Sequence, residues 1–276
     1  MAQPIGSAQY SEKGGVGKTS DTDGLAAVAA ERGLNVGVVD GDPRATATAE
    51  LGVEVNDDTL TLNDLLVIPA KGDPPDPAEV VQDVLQPAGK AWPSNIRVIP
   101  AERNLAHRES DPAPIETRLA RAILGAPEID IWFFDLPPRP GGKLITTLLA
   151  AATTVLIPAT LTTDGFIGVE QARRSIRLIR QGMNPGLGYT GIIRSIVPKD
   201  SERRGVHDEV DAALADTYPG EVLDVQITEY AIREEARLAC VPITSAPGRE
   251  AKILIGKYGE LLDHLLTRRS LWPAAA

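Results

Sequence analysis

Residues 13–20, Lys13-Gly14-Gly15-Val16-Gly17-Lys18-Thr19-Ser20, restrict what this chain can become more than any other stretch. A short apolar run over 5–9 leads in and a helical pattern over 19–32 leads out. Strand, glycine turn and helix is the setting that a phosphate-binding loop requires. Gly14, Gly15 and Gly17 carry no side chain, so backbone N–H groups can close around a polyphosphate. The helix start adds unpaired N–H groups and the positive end of its dipole. The nucleotide-binding set is therefore Gly14, Gly15, Val16, Gly17, Lys18, Thr19 and Ser20. Lys18 supplies a point charge to the β- and γ-phosphates, and the Thr19 hydroxyl can ligate Mg²⁺. One position departs from the general pattern: five residues before Gly17 stands Glu12, not glycine, and Lys13 precedes the glycine pair.

With 276 residues the chain can bury a substantial core, as one large α/β domain or two small ones. Cys240 is the single cysteine, which leaves no disulfide framework and no cysteine metal cluster; it reads as a small buried hydrophobe. No apolar run reaches a membrane span, and the N-terminus lacks the basic-then-apolar order of a signal peptide, so a cytoplasmic protein is expected. The net charge of −10 argues against uniform nucleic-acid binding, but it is unevenly spread. From 165 to 204 there are 8 Lys/Arg against Glu170, Asp200 and Glu202, which leaves +5 there and −15 elsewhere. Local sign decides what a surface attracts.

Short β-branched runs alternate with helical patterns, which predicts an α/β fold: a mostly parallel twisted sheet of about seven strands with helices on both faces. The predicted strands are 5–9, 35–40, 96–100, 130–135, 154–157, 189–197 and 222–227. The predicted helices are 19–32, 76–85, 115–124, 143–151, 165–180, 202–216, 230–238 and 250–268. Residues 1–272 are expected to form a single domain, with 69–95 a loosely ordered surface excursion and 273–276 a frayed tail. The chain starts almost directly on its first strand, so no N-terminal DNA-binding module is expected.

Ligands of an open α/β sheet gather at the carboxyl ends of its strands. Two predicted strands end there in acids, as Asp40-Gly41-Asp42-Pro43 and Asp135-Leu136-Pro137-Pro138. Asp135 is suited to hold Mg²⁺ or its waters, and Asp42, with Asp40, to orient a water toward the γ-phosphate.

On these residues the sequence resembles the deviant Walker-A ATPases, and among them the ParA-type partition ATPases. Lys13 to Thr19 is similar to their loop with its extra lysine, and Asp40-Gly41-Asp42-Pro43-Arg44 to their Asp-x-Asp-Pro-Gln segment. Ile99-Pro100-Ala101 with Leu105, Phe134-Asp135-Leu136-Pro137-Pro138 and Val155-Leu156-Ile157-Pro158 continue the likeness, which spans nearly the whole chain. The resemblance implies an ATP- and Mg²⁺-dependent ATPase that forms a homodimer. Each Lys13 would reach the partner's nucleotide, and Asp135 would hold Mg²⁺ through water. Asp42, with Asp40, would position the attacking water. It further implies non-specific DNA binding by the ATP dimer, stimulation by a ParB-type partner, and a nucleoid-associated cytoplasmic location.

Arg173, Arg177 and Arg180 fall on one helical stripe, with Ile176, Leu178 and Ile179 expected inward. By position, the family's DNA contacts fall near Arg203, Arg204 and Arg233, which are preferred to Arg173 and Arg177. Departures from the family are Asp21, Asp23 and Gly24 after the loop, Arg194 inside an apolar strand, and Arg139-Pro140-Gly141-Gly142 after Asp135. Asp21 and Asp23 are expected to point away from phosphate, and Arg194 to reach the base or an acid. The alternative is a MinD-like membrane-associated ATPase, in which 261–272 would be an amphipathic tail; a packing helix is the preferred reading, so a membrane partner is not expected.

Overall fold

The computed structural model describes residues 4–69, 71–267 and 270–272. Its strands are β1 (Ile5–Gln9), β2 (Val36–Asp40), β3 (Gln86–Pro87), β4 (Ile96–Ile99), β5 (Ile131–Asp135), β6 (Thr154–Ala159), β7 (Gly188–Val197) and β8 (Val222–Thr228). The α-helices are α1 (Lys18–Glu31), α2 (Thr46–Glu50), α3 (Leu62–Leu66), α4 (Pro77–Val84), α5 (Arg118–Ala122), α6 (Lys143–Ala151), α7 (Thr163–Gln181), α8 (Gly205–Thr217), α9 (Ala231–Leu238) and α10 (Arg249–Thr267). The strands form one 8-stranded sheet in the order β3-β4-β2-β5-β1-β6-β7-β8. Among the described residues, pairing is parallel throughout except at the edge, where β3 runs antiparallel to β4.

The sheet therefore has eight strands, not the predicted seven. The addition is β3, two residues long and too short to carry a period-2 signal. It lies in the segment predicted as a loose excursion, which is in fact folded back. Val81 and Val84 of α4 are buried, and the Trp92 indole donates to the carbonyls of Glu50 (3.2 Å) and Cys240 (3.1 Å). The tail 273–276 lies outside the described residues, as do Arg268 and Arg269.

Both faces of the sheet are covered, which explains the unbroken apolar runs. In β5, Phe133 packs with Leu25, Val38, Leu156 and Leu254 on the α1/α10 face. Trp132 and Phe134 turn to the other face with Val39, Leu148 and Val155. Burial on each face is what makes alternation disappear. Leu178, expected inward on α7, is instead 60% exposed. Cys240 is half-buried and sits just past α9 with φ 51°, a left-handed residue at a helix end.

Gly24 is a packing requirement. A Cβ there would lie 2.3–2.6 Å from ring atoms of Tyr258 on α10. That ring is 1% exposed, and its hydroxyl donates to the Ser20 carbonyl (3.2 Å) and to Asp21 Oδ1 (3.3 Å), so it has nowhere to go. Gly24→Ala gains up to about 1 kcal/mol of helix propensity but meets overpacking of about 1–3 kcal/mol or more, and overpacking prevails. Its thermal midpoint is expected to fall by roughly 2–4 °C for each kcal/mol of net loss in a chain of this size, measured by circular dichroism. An unchanged midpoint would show that α10 is free to shift.

Candidate functional site

Register assembles the site. Gln9 pairs with Asp135 across β1/β5, and Asp40 with Asp135 across β2/β5, so three adjacent strands end level at the carboxyl edge. The glycine loop crosses this edge between β1 and α1. Gly15 and Gly17 have φ 72° and 91°, and no side chain lies within 4 Å of the Cβ position at Gly15. The turn thus needs glycine for its backbone conformation, and the space is left to a ligand. Above the loop opens a cleft of about 670 Å³ lined by Gly14, Gly15, Gly17, Lys18, Thr19, Ser20, Asp42, Pro138 and Ile196, and by residues of α9 and its entry, Tyr230, Arg233, Glu234 and Arg237. Ile196 holds φ 54°, a strained conformation for a β-branched residue, at the irregular end of β7.

Lys18 is 6% exposed, and its Nζ donates to the Lys13 carbonyl at 2.9 Å. Burial lowers its pKa, while the carboxylates of Asp135 and Asp42 act in the opposite sense. Thr19 Oγ1 donates to Asp135 Oδ2 at 2.7 Å. Asp135 is 1% exposed; burial, then the charge of Asp40, pushes its pKa well above the carboxylate range. Its Oδ1 is buried with no hydrogen-bond partner. An unsatisfied carboxylate oxygen beside a hydroxyl and a lysine is a site that a hard cation or its water would complete. Among the described residues no three His, Cys, Asp or Glu side chains form a metal cage. Mg²⁺ takes one or two protein oxygens and fills its shell with phosphate and water, and Thr19 and Asp135 present such oxygens at the cleft edge.

The two acids around Gly41 divide their work. Asp40 is 0% exposed and accepts from Asp42 N (3.0 Å), Thr48 N (2.8 Å) and Thr48 Oγ1 (2.8 Å). Burial raises its pKa to about 6 against those three donors. Its oxygens are spent on holding α2 and the loop, so it organises the segment instead of reaching the cleft, as the sequence reading had expected of it. Asp42 lines the cleft, with Oδ1 accepting from Arg44 N at 3.0 Å.

Lys13 is exposed at the lip, and its Nζ lies 2.6 Å from Asp164 Oδ2 at the start of α7. Glu12 accepts from Ser175 Oγ on the same helix at 2.7 Å, so the two residues that break the general loop pattern both face α7. Asp164 escaped the sequence reading, although an acid after the carboxyl end of β6 was there to be seen.

Asp21 and Asp23 turn into the protein, and neither lines the cleft. Asp21, fully buried, accepts from Ser195 Oγ (2.5 Å), Tyr258 OH (3.3 Å) and Arg233 Nη2 (3.4 Å). Burial raises its pKa despite the Arg233 charge. Asp23 is buried beside Glu50, which pairs with Arg237; burial and then Glu50 drive the Asp23 pKa well up. Arg194 reaches an acid, Asp211, at 3.5 Å and does not line the cleft.

The proposed DNA residues separate in space. Arg233 points inward, its Nη2 also 3.3 Å from the Gly17 carbonyl, because Asp21 draws it to the loop; it belongs to the cleft wall. Arg203 is shared between Asp208 (2.6 Å) and Asp211 (2.8 Å), while Arg204 is exposed at the start of α8. Arg173 pairs with Glu221 at 2.8 Å, and Arg177 is exposed on the outer side of α7.

The AAA domain family matches residues 7–189. The chain is 32% identical over 241 residues to the chromosome partitioning protein ParA of Myxococcus xanthus, covering 86% of this chain and 77% of that protein. The chain belongs to the ParA/MinD superfamily of partition ATPases. This ParA-like ATPase is also 32% identical to the sporulation initiation inhibitor protein Soj of Bacillus subtilis, over 67% of this chain and 70% of that protein. Its fold matches a McdA–ATP complex of Cyanothece with a TM-score of 0.80 and 20% identity, covering 99% of this chain and 100% of that one. No helix among the described residues is long and apolar enough to cross a membrane.

Proposed function

We propose that this ParA-like chain is a Mg²⁺-dependent ATPase of DNA partition, cycling between an ATP-bound homodimer on non-specific DNA and a released form. The observation that supports it most is the division of labour between two lysines. Lys18 lies buried against the loop, whereas Lys13 stands exposed at the lip, its ammonium in an exposed pair with Asp164. Pairs of that kind contribute about 0–1 kcal/mol, so the phosphates of a second subunit's ATP can take Lys13 from Asp164. A charge supplied across an interface makes hydrolysis conditional on dimerisation. Asp42 accepts a hydrogen bond from water aligned on the γ-phosphorus; the water oxygen bonds to phosphorus as the bridging oxygen leaves with ADP. Thr19 and Asp135 are the residues that would hold Mg²⁺, which would supply positive charge beside the phosphates. DNA contact through Arg204 and the α7 arginines would be to phosphates, so it would carry no base specificity and would weaken steeply with salt. A ParB-type protein is the expected stimulating partner, and a nucleoid-associated cytoplasmic location follows from this cycle.

The test is Asp42→Ala. Losing water alignment while the loop's phosphate contacts stay is expected to slow steady-state hydrolysis about 100-fold and to leave ATP affinity unchanged. Preformed ATP–protein–DNA complexes, followed by fluorescence anisotropy after a salt-matched competitor chase, should persist correspondingly longer. Wild-type turnover in this variant would move the water-positioning role elsewhere, and absence of ATP-dependent DNA binding in the parent protein would remove the partition reading.

A further inference from the structure

Glu12 puts a side chain where the general loop pattern has none, and that side chain is half-buried and bonded. Its Oε1 accepts from Ser175 Oγ of α7 at 2.7 Å and from the Tyr10 hydroxyl at 3.3 Å. Tyr10 directly follows β1 and is fully buried. Burial pushes its pKa up to about 12, against hydrogen bonding from Ser175 and from the Gly141 backbone. Gly141 belongs to the segment after Asp135, so the Tyr10 hydroxyl meets the loop, α7 and that segment together. Two glycines allow a further grip on the loop. A Cβ at Gly168 of α7 would lie 3.4 Å from Lys13 Cβ and 3.5 Å from Ser11 Oγ, and one at Gly14 would lie 3.7 Å from Pro138 Cβ. Lys13 N donates to Ser11 Oγ at 3.3 Å. The main chain of 11–14 is thus held between α7 and residues 138–141, while the Lys13 side chain stays exposed.

We infer that Glu12 is a positioning residue for Lys13: it fixes the main chain from which the Lys13 ammonium extends to the partner subunit's nucleotide, and Tyr10 ties that setting to the segment after Asp135. This rests on the shared-nucleotide reading above and adds what aims the lysine. A long side chain delivers its charge only as accurately as its own Cα is held, and a displacement of about 1 Å can cost about 10²-fold in rate. Gly14 and Gly15 follow Lys13 directly, and glycine lends the chain little stiffness. The restraint on Lys13 therefore comes from the residues before it, and among those Glu12 reaches across to another helix. Neither Glu12 nor Tyr10 lines the cleft, so their effect on hydrolysis runs through Lys13. Glutamine at position 12 keeps an oxygen for both hydroxyls, whereas alanine takes the acceptor from both.

The experiment is a double-mutant cycle between Glu12 and Lys13 in the full chain, read as steady-state ATP hydrolysis with Mg²⁺, beside ATP affinity and a circular dichroism melt. Glu12→Ala is expected to lower kcat about 10-fold with ATP affinity unchanged, because Lys18 and the loop N–H groups still hold the phosphates. Glu12→Gln should restore kcat to within about twofold of the parent, and Ser175→Ala, made on α7, should reproduce part of the loss. Lys13→Ala is slow by itself, and adding Glu12→Ala to it should change kcat less than about twofold, since no lysine is left to aim. Where Glu12→Ala melts below the assay temperature, Ser175→Ala takes its place in the cycle. Losses that multiply would give Glu12 a role apart from Lys13. Parental kcat in Glu12→Ala, or an ATP affinity that falls in step with kcat, would likewise overturn the positioning role. In each of these cases a slow Lys13→Ala leaves the shared-nucleotide reading standing. Parental turnover in Lys13→Ala would remove both.

Discussion

Lys18→Ala is expected to abolish ATP binding, and ATP-dependent DNA binding with it. Lys18 is the one cation in the cleft placed by the helix start itself, with Nζ over the loop and tied to the Lys13 carbonyl at 2.9 Å. Charge-assisted hydrogen bonds contribute roughly 1.5–3 kcal/mol each. Removing those to two phosphates weakens ATP about 10²–10⁴-fold. The fold should survive. Lys18 is already penalised by burial, and Asp135, whose pKa is already raised, can take up a proton when its neighbour's charge goes. Isothermal titration with ATP·Mg²⁺ reads the loss, and an unchanged circular dichroism melt separates it from unfolding. ATP-dependent DNA binding retained by Lys18→Ala would refute the phosphate-loop assignment.

What could be read from the sequence follows a physical line. The loop, the strand-end acids and the seven longer strands were legible, because glycine conformation, burial on two faces and strand-end position act locally. The site was less legible wherever one element decides another's role. Asp40 and Asp42 look equivalent as text, but Thr48 of the short helix α2 occupies Asp40, and of the two only Asp42 lines the cleft. Arg233 read as a surface cation until Asp21, 212 residues away in the chain, drew it to the loop. Gly24 looked like a family departure and proves to be the space for Tyr258. Asp21, Gly24, Arg233 and Tyr258 form one compensated set that binds α1, α9 and α10 together, and no member of it explains itself alone. Glu12 and Lys13, conspicuous in the sequence as exceptions, both meet α7.

Asp135→Asn should separate stability from activity in opposite directions. Burial and the Asp40 charge raise the Asp135 pKa in the folded state, so the folded chain binds a proton more tightly than the unfolded chain does. A carboxyl shifted this way lowers stability as pH rises from its unfolded value through its folded one. Asparagine removes the charge and still accepts from the Thr19 hydroxyl, so the penalty disappears. At pH 8 and without nucleotide, the variant's thermal midpoint is expected to rise by roughly 2–4 °C, as for about 1 kcal/mol in a chain of this size. The gain should shrink toward pH 4, where Asp135 of the parent is itself protonated. Hydrolysis should fall at least about 100-fold, because the charge that would hold the Mg²⁺ hydration shell is gone. The Mg²⁺ concentration giving half-maximal activity should rise as well. The sign of the stability change is decisive. A midpoint that drops at pH 8 would mean that Lys18 and Asp135 act as a structural ion pair, whereas a rise paired with lost turnover identifies a carboxylate kept at the expense of stability for the cation that completes its unpartnered Oδ1.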